Sequence, residues 1–475
     1  MAGRSSSMRI SGKSAQIISV LRQIPIADLA KNAFTLGGFC LLLGLITCQG
    51  VGAIGPFPNV FLPSIVVIVG SLIFLGSQAF TITRLDYVFV LWFTLAYASH
   101  IYATMILDRS MRPGVLDGVV FFILAMYLFY RAVFSLILVS PKIGSRLYIA
   151  ILVAFLTGAA VLGLLQRYGP GAGTALAIGS ALSAAPTDVA MSSQGDRTSG
   201  VFAGPNVLGY ANSVLVCLVL GWAMAGIGRI GPWKTFSVMF ICGLAFLSVL
   251  ASQSRSTLLA LPLCPLFFGY LLVRFARDRR AVFVFGMLCV FGLLGMGFVL
   301  QRSRSTYLEG ISHTGLTHDF SYEDRVRALG QLEQFAYAIA PFGAAVSEAN
   351  NPYGAHLTGF GYYNTVEVDN EWANSYEAFG VWGPLWLCVL GLTFFQLIRA
   401  GFNDQHEEYR ALARIAMWIC IFLVIFSAGS VRIFKNDTAG FIFSVFAALA
   451  AWDTIHRGSV LKAEPAQITA AVGAT

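Results

Sequence analysis

The sequence is dominated by apolar runs, each about as long as a helix that crosses a bilayer. A hydrocarbon core about 30 Å thick requires about 20 apolar residues in a helix. Hydrophobic residues make up 57% of the 475 positions and charged residues only 11%, so the chain cannot cover itself with polar surface. The sequence therefore predicts an all-α, polytopic membrane protein and excludes a soluble enzyme, a disordered chain and a nucleic-acid-binding protein. The twelve expected spans lie near residues 34–53, 60–80, 87–107, 115–138, 147–166, 207–227, 235–252, 256–273, 281–300, 376–398, 412–430 and 436–452.

Basic residues predict how these spans are oriented, because Lys and Arg concentrate on the cytoplasmic side of short loops. The N-terminal segment is basic and lacks a short apolar region followed by a cleavage site, so we expect the first span to direct insertion. With this segment in the cytoplasm, 20 of the 31 basic residues lie on the inner side. Both termini are then cytoplasmic. The expected regions are a basic N-terminal segment 1–33, a transmembrane domain 34–454 with outer loops at about 167–206 and 301–375, and a tail 455–475.

The basic residues left on the outer side are almost all arginine. They are Arg109, Arg112, Arg167, Arg197, Arg255, Arg302, Arg304, Arg325, Arg327, Arg432 and Lys435. The planar guanidinium group binds phosphate through two parallel hydrogen bonds, whereas Lys acts as a point charge. This pattern favours a site for a phosphate-bearing lipid at the outer face. The alternative for any one of them is a headgroup contact or an ion pair within a loop.

Two of these arginines lie in short polar segments beside apolar runs. Arg197 precedes Gly204–Asn206, where Gly and Pro predict a turn and the start of the next span; a turn does not explain Arg197. Arg255 lies between two apolar runs that are separated by only a few polar residues. A charge so close to hydrocarbon indicates a functional site, with snorkelling to the interface as the alternative.

The large outer loop between spans 9 and 10 supplies the remaining candidates. Arg325 and Arg327 fall in an amphipathic stretch, and on a helix they point in different directions, so we expect only one to face a ligand. The sequence 369–372 (Asp-Asn-Glu-Trp) combines acidic and amide groups with an aromatic ring, as is common on sugar-binding surfaces. An aromatic belt at the membrane interface explains Trp372 equally well.

Metal and cofactor chemistry is not indicated. All eight Cys lie inside apolar runs, where they act as small packing residues. His313, His318 and His356 have no partner at metal-ligand spacing. We therefore expect neither a metal nor a cofactor.

Taken together, three motifs in this order resemble the O-antigen ligase and Wzy polymerase family of bacterial envelope polysaccharide assembly. Arg197-Thr-Ser-Gly-Val-Phe-Ala-Gly-Pro-Asn206 is similar to the family's R-x-x-G-x-F-x-x-P-N. Ser254-Arg255 with Leu258 and Leu259 is similar to S-R-x-x-x-L. Asp369-Asn370-Glu371-Trp372, followed by Gly380-Val-Trp-Gly383, is similar to H-N-x-Y-L leading into G-x-x-G. The family also has an Arg before a helix of its large loop, which matches Arg325 or Arg327. In detail the resemblance covers about residues 190–400.

The resemblance implies a GT-C-like, metal-independent glycosyltransferase in the bacterial plasma membrane, with its site facing the periplasm or exterior. The donor would be an undecaprenyl-pyrophosphate-linked oligosaccharide, and the other partners membrane lipid and a chain-length regulator and flippase of the same pathway. Fixed guanidinium groups would stabilise the leaving pyrophosphate, and Asp369 would act as general base or orient the acceptor. The implied catalytic residues are Asp369, Arg255, Arg325 and Arg327, and the implied substrate-binding residues are Arg197, Asn206, Asn370, Glu371, Trp372, Arg432 and Lys435.

One departure separates the possible activities. The ligases of the family have His where this chain has Asp369, which favours a polymerase that extends repeat units over a ligase that moves a finished glycan to a lipid or protein acceptor. A transporter of anions or lipid-linked sugars is the third alternative. The chain shows no repeat of two six-span halves and no matching pair of broken spans, which disfavours the transporter.

Overall fold

The computed structural model describes the helical body of the chain. The described residues are 26–48, 59–105, 113–183, 198–202, 204–225, 232–252, 379–427 and 437–472, with the single positions 254, 257, 283, 286, 287, 290, 294 and 375. Every regular element in these ranges is helical. The elements are α1 (Ile26–Thr47), α2 (Phe61–Leu75), a 3₁₀ helix (Gly76–Phe80), α3 (Arg84–Met105), α4 (Pro113–Val139), α5 (Gly144–Tyr168), α6 (Ala172–Ser183), α7 (Pro205–Ala225), α8 (Pro232–Ser252), α9 (Trp382–Asn403), α10 (Glu407–Ser427) and α11 (Asp437–Val472).

Helix length and composition confirm a membrane-embedded, all-helical protein. Within the described residues, seven helical segments are long and apolar enough to cross a membrane. They belong to α1, α2 with the 3₁₀ turn, α4, α5, α7, α9 and α11. Three further expected spans coincide with α3, α8 and α10. The expected spans 256–273 and 281–300 lie almost wholly outside the described residues.

Several boundaries differ from those expected from hydropathy alone. α1 begins at Ile26, inside the expected N-terminal segment 1–33, and Asp28 in its first turn interacts favourably with the helix dipole. α6 lies inside the expected outer loop 167–206, and α11 continues to Val472, past the expected limit of 454. Amphipathic and Ala-rich turns extend helices beyond the apolar stretch, which is why hydropathy places the ends differently.

Three helices form the centre of the bundle. In the apolar segments of α7, α11 and α4, 83%, 78% and 72% of the residues are buried inside the protein, whereas the share in α2 is only 17%. α11 packs on α4, while α7 packs on α5, α8, α10 and α11. Outer helices present apolar side chains such as Val66 and Ile73 outward, as lipid-facing surfaces do.

Contacts between neighbouring helices define two ends of this bundle. Gln166, at the end of α5, contacts Gly200 just before α7. Ser145, at the start of α5, contacts Glu408 at the start of α10. The first set of contacts defines the Gln166 end, and the second defines the Glu408 end. Residues that follow α9, and those around position 456 of α11, also lie at the Glu408 end. The charge pattern predicts that the Gln166 end faces outward and the Glu408 end faces the cytoplasm.

Candidate functional site

Of the predicted site residues, the described part of the chain contains one. Asn206 is the second residue of α7 and is half-buried. Pro205 precedes it at the first helical position, where its missing N–H costs nothing, and this confirms the expected helix start. The other predicted site residues lie outside the described residues: Arg197, Arg255, Arg325, Arg327, Asp369, Asn370, Glu371, Trp372, Arg432 and Lys435.

The first motif is anchored by the side chain of Gln166. Its amide nitrogen donates to the Gly200 carbonyl at 2.8 Å, and its amide oxygen accepts from the Gly200 N–H at 2.9 Å. Gly200 has φ of +64°, a left-handed conformation that glycine adopts without strain. Gln166 is buried and also donates to the Ala175 carbonyl at 3.3 Å. One side chain of α5 therefore fixes the turn that follows Arg197 in the sequence.

The second motif meets the first on the surface of α7. A Cβ atom added to Gly209 would overlap the hydroxyl of Thr257 and lie 3.0 Å from the Cβ of Ser254. The residue before it, Leu208, lies against Gly200, where an added Cβ would be 3.1 Å from its side chain. Consecutive residues of α7 thus contact the described flanks of Arg197 and Arg255, and Gly209 is required for the close approach.

Neutral polar side chains are concentrated at this end of the bundle. The Asn212 amide donates to the Ser248 hydroxyl at 3.0 Å and to the Leu208 carbonyl at 2.9 Å. The Thr257 hydroxyl donates to Ser254 Oγ at 2.8 Å. All five residues are buried. Polar groups buried within a membrane protein must be satisfied internally. The bond from Asn212 to Ser248 joins α7 to α8. The bond from Thr257 fixes Ser254 relative to Thr257.

The start of α11 reaches the same end. The rings of Phe202 and Phe441 are 6.2 Å apart in an edge-to-face arrangement, a geometry that adds to the packing energy. Phe202 belongs to the first motif, and α11 begins at Asp437, two residues after Lys435. The segment that carries Arg432 and Lys435 is therefore tied in sequence to a helix that contacts the first motif.

The third motif is described only at its C-terminal side. Gly383, in the first turn of α9, is in close backbone contact with Ser375. The hydroxyls of Ser375 and Thr198 are buried and have no hydrogen-bond partner among the described residues. Thr198 follows Arg197 directly in the sequence. The buried hydroxyls thus lie next to two of the segments that carry predicted site residues.

The sequence did not predict a buried ion pair that lies towards the Glu408 end; the charge pattern alone assigns its cation, Arg131, to an inner segment. Arg131 instead lies within the apolar part of α4 and is 8% exposed. It donates to both carboxylate oxygens of Asp86, at 3.4 and 3.3 Å, to the Thr81 carbonyl at 2.8 Å and to the Ala79 carbonyl. The signal available in the sequence was an Arg inside an apolar run, which is costly unless paired.

The two ends differ in the chemistry that they support. The buried polar side chains described at the Gln166 end are neutral donors and acceptors, which can orient hydroxyl groups but cannot neutralise a pyrophosphate. Arg167, the residue after Gln166, is half-buried, and its guanidinium lies 5.8 Å from the centre of the Tyr168 ring. A pyrophosphate charge would have to be met by Arg167 or by the arginines of the adjoining motifs. No protein-family model matches the chain, and no curated protein is significantly similar to it.

Proposed function

We propose that this protein is a membrane glycosyltransferase that polymerises undecaprenyl-pyrophosphate-linked oligosaccharide repeat units at the outer face of the bacterial plasma membrane. The product would be an exopolysaccharide, a capsule or an O-antigen. The Gln166 end carries the site in this proposal, with the donor lipid alongside the bundle and the sugars in the outer loops.

The observation that carries the proposal is the meeting of two motif flanks on α7. Leu208 contacts Gly200, and Gly209 contacts Ser254 and Thr257. Arg197 is three residues from Gly200, and Arg255 is bonded to Ser254. Because consecutive Cα atoms are 3.8 Å apart, a guanidinium group at each position has the reach to meet the other across one pyrophosphate. If Arg197 and Arg255 had separate roles in distant loops, the residues beside them would not need to meet on α7.

The proposed chemistry is a displacement at the anomeric carbon of the donor. The acceptor hydroxyl loses its proton to Asp369 and bonds to the anomeric carbon, while the bond to the lipid pyrophosphate breaks. Negative charge develops on the pyrophosphate, and fixed arginines in a poorly hydrated site stabilise it. Asn370, Glu371 and Trp372 hold the sugar rings and hydroxyls. The hydroxyl proton passes to Asp369 and the electrons of the broken bond leave with the pyrophosphate, so the proposed reaction requires no metal.

The first experiment measures the lipid-linked glycans of a deletion strain by extraction and mass spectrometry. We expect single repeat units to accumulate on undecaprenyl pyrophosphate while polymer disappears. Long polymer that accumulates on the lipid, with its final acceptor unmodified, would mean ligation instead. No change in either pool would contradict both glycosyltransferase activities and favour the transporter.

The second experiment tests the phosphate-binding role of Arg255 in the complemented strain. Arg255→Ala should abolish the polymer at normal protein abundance, and Arg255→Lys should restore little of it, because an ammonium group cannot form the paired hydrogen bonds of a guanidinium group. Arg146→Ala is the matched control, since Arg146 is an exposed arginine at the Glu408 end and its loss should leave the polymer intact. Normal polymer in Arg255→Ala would remove this residue from the site.

The third experiment tests the alignment of the third motif. Asp369→Asn removes the proposed base and should lower polymer yield more than Glu371→Gln, which removes only a hydroxyl contact. The reverse order would show that Glu371 is the base and that the motif is displaced by two residues.

A further inference from the structure

A second cluster of functional side chains lies at the Glu408 end, away from the proposed glycan site. Asp404 and His406 are in the link between α9 and α10, and His456 is on α11. One carboxylate oxygen and one ring nitrogen from each His all lie within 4.8 Å of one another. We propose that these three residues bind one divalent transition-metal ion of the zinc type.

The distances between the ligand atoms are close to those of a metal site. Nδ1 of His406 is 2.7 Å from Asp404 Oδ1, and Nδ1 of His456 is 3.7 Å from Asp404 Oδ2. Metal–ligand bonds of about 2.0–2.2 Å in tetrahedral geometry separate neighbouring ligand atoms by roughly 3.3 Å. The observed distances lie on either side of this value. These two distances end on different carboxylate oxygens, so rotation of the side chains is needed to bring one atom from each residue to this spacing around an ion.

A hydrogen bond holds the Asp404 carboxylate in an orientation suited to this role. The backbone N–H of His406 donates to Asp404 Oδ1 at 2.8 Å. Such a bond from a neighbouring group fixes the direction of a ligating carboxylate. The side chain of Asp404 is only 17% exposed, so water competes weakly for it.

Aromatic packing holds the second imidazole in place. The ring of His456 is stacked on Trp452, with centroids 5.4 Å apart, and parallel to Tyr409 at 5.9 Å. The ring of His406 lies 4.4 Å from that of His456. Rings fixed in this way lose little conformational freedom when they bind an ion.

The chemistry of the three ligands selects the class of metal. Imidazole nitrogens suit zinc, nickel, cobalt and copper, whereas calcium and magnesium prefer oxygen ligands alone. Three protein ligands leave a fourth tetrahedral position for water. In the neutral imidazoles that bind through Nδ1, the ring proton resides on Nε2. We therefore expect Zn²⁺ and Co²⁺ to bind and Mg²⁺ not to.

The bound ion would join parts of the chain that are distant in sequence. His406 and His456 are 50 positions apart, and the ion would tie the link between α9 and α10 to α11. An ion that binds the folded state and not the unfolded state stabilises the protein. This inference does not depend on the glycosyltransferase proposal, because the cluster lies at the opposite end of the bundle.

The test uses the full-length protein purified in detergent without a polyhistidine tag and stripped of metal with a chelator. Zn²⁺ is titrated by calorimetry, and Co²⁺ is followed by its visible absorption. We expect one ion per chain, a tetrahedral Co²⁺ spectrum and a rise in the unfolding temperature with Zn²⁺. His406→Ala should weaken Zn²⁺ binding by more than the roughly 10–100-fold that loss of an outer-shell partner costs. The His406 side chain is 57% exposed, so this variant should fold normally.

Matched variants separate this site from other histidines. Glu408→Gln changes an acidic residue at the same end without touching the cluster and should bind Zn²⁺ like the parent protein. Asp404→Asn should lose binding as His406→Ala does. Undiminished binding in both cluster variants would overturn the proposal and assign the ion to other residues. Absence of micromolar Zn²⁺ binding to the parent protein would also overturn it and leave a hydrogen-bonded cluster.

Discussion

Among the described residues, the two ends of the bundle differ in their ion pairs, which lie at or towards the Glu408 end, whereas hydroxyl contacts occur at both ends. At the Gln166 end, neutral amides and hydroxyls bond to each other and to backbone groups, as in the bonds from Gln166 to Gly200 and from Asn212 to Ser248. At the Glu408 end and along the adjoining part of the helices, ionised groups form pairs, as in Asp86 with Arg131 and Glu408 with Arg146.

Under the proposed function, this difference has a chemical purpose. The neutral contacts join α7 to its neighbours, and the arginines of the adjoining motifs would meet the pyrophosphate. Ion pairs at the other end have their charges already neutralised, and they serve to join helices. Substitutions that remove single contacts from each end test this difference.

The largest effect is expected from Arg131→Met. The substitution leaves the Asp86 carboxylate, whose side chain is 10% exposed, without its cation. Breaking a buried ion pair on one side costs about 3–5 kcal/mol. We expect a large fall in the unfolding temperature in detergent and low abundance in the membrane. Adding Asp86→Asn should restore part of the loss, because the unpaired charge is then removed; a double variant no more stable than Arg131→Met would contradict a role for charge.

The next effect is expected from Gly209→Val at the Gln166 end. The new side chain would overlap Thr257 and press on Ser254, and overpacking of this kind costs about 1–3 kcal/mol. Because the contact joins the flanks of two motifs, glycan polymer should fall further than protein abundance does. Polymer and abundance that fall in equal proportion would reduce Gly209 to a packing residue.

Gly243→Ala is the matched control for this variant. An added Cβ at Gly243 on α8 meets no atom within 4 Å. Replacing a helical Gly by Ala stabilises a helix by up to about 1 kcal/mol. This variant should therefore keep full polymer synthesis with unchanged or slightly raised stability.

Apolar length predicted ten of the described helices, because a helix that crosses a bilayer needs about 20 apolar residues. The start of α7 at Pro205 followed from the chemistry of that residue. The convergence of Gly200, Gly209 and Ser254 did not follow, because contacts between helices depend on which faces meet, and each face is apolar in sequence. The same limit hid the cluster of Asp404 with His456, whose members are far apart in the chain. The pairing of Arg131 with Asp86 was missed for the same reason, because the two residues lie on different helices, although an Arg inside an apolar run is visible in the sequence.

A third prediction tests the anchor of the first motif. Gln166→Leu removes both hydrogen bonds to Gly200 and leaves its buried N–H and carbonyl without this partner. An unsatisfied buried backbone group costs about 1–3 kcal/mol. We expect a moderate loss of stability and a larger loss of polymer, measured in the same strains. Gln166→Glu keeps the acceptor for the N–H but loses the donor, so it should lie between Leu and the parent protein; full activity of Gln166→Leu would show that the turn is held by other contacts.

The smallest effect is expected from Arg146→Gln at the Glu408 end. Arg146 pairs with Glu408, but its side chain is 63% exposed, and Glu408 keeps a second contact with the hydroxyl of Ser145 at 3.1 Å. Exposed pairs contribute about 0–1 kcal/mol, because water and salt screen them. The unfolding temperature should change little, and raising the salt concentration should remove even that difference. A loss as large as that of Arg131→Met would show that the pair is shielded from solvent in the membrane, and the contrast between buried and exposed pairs at this end would then fail.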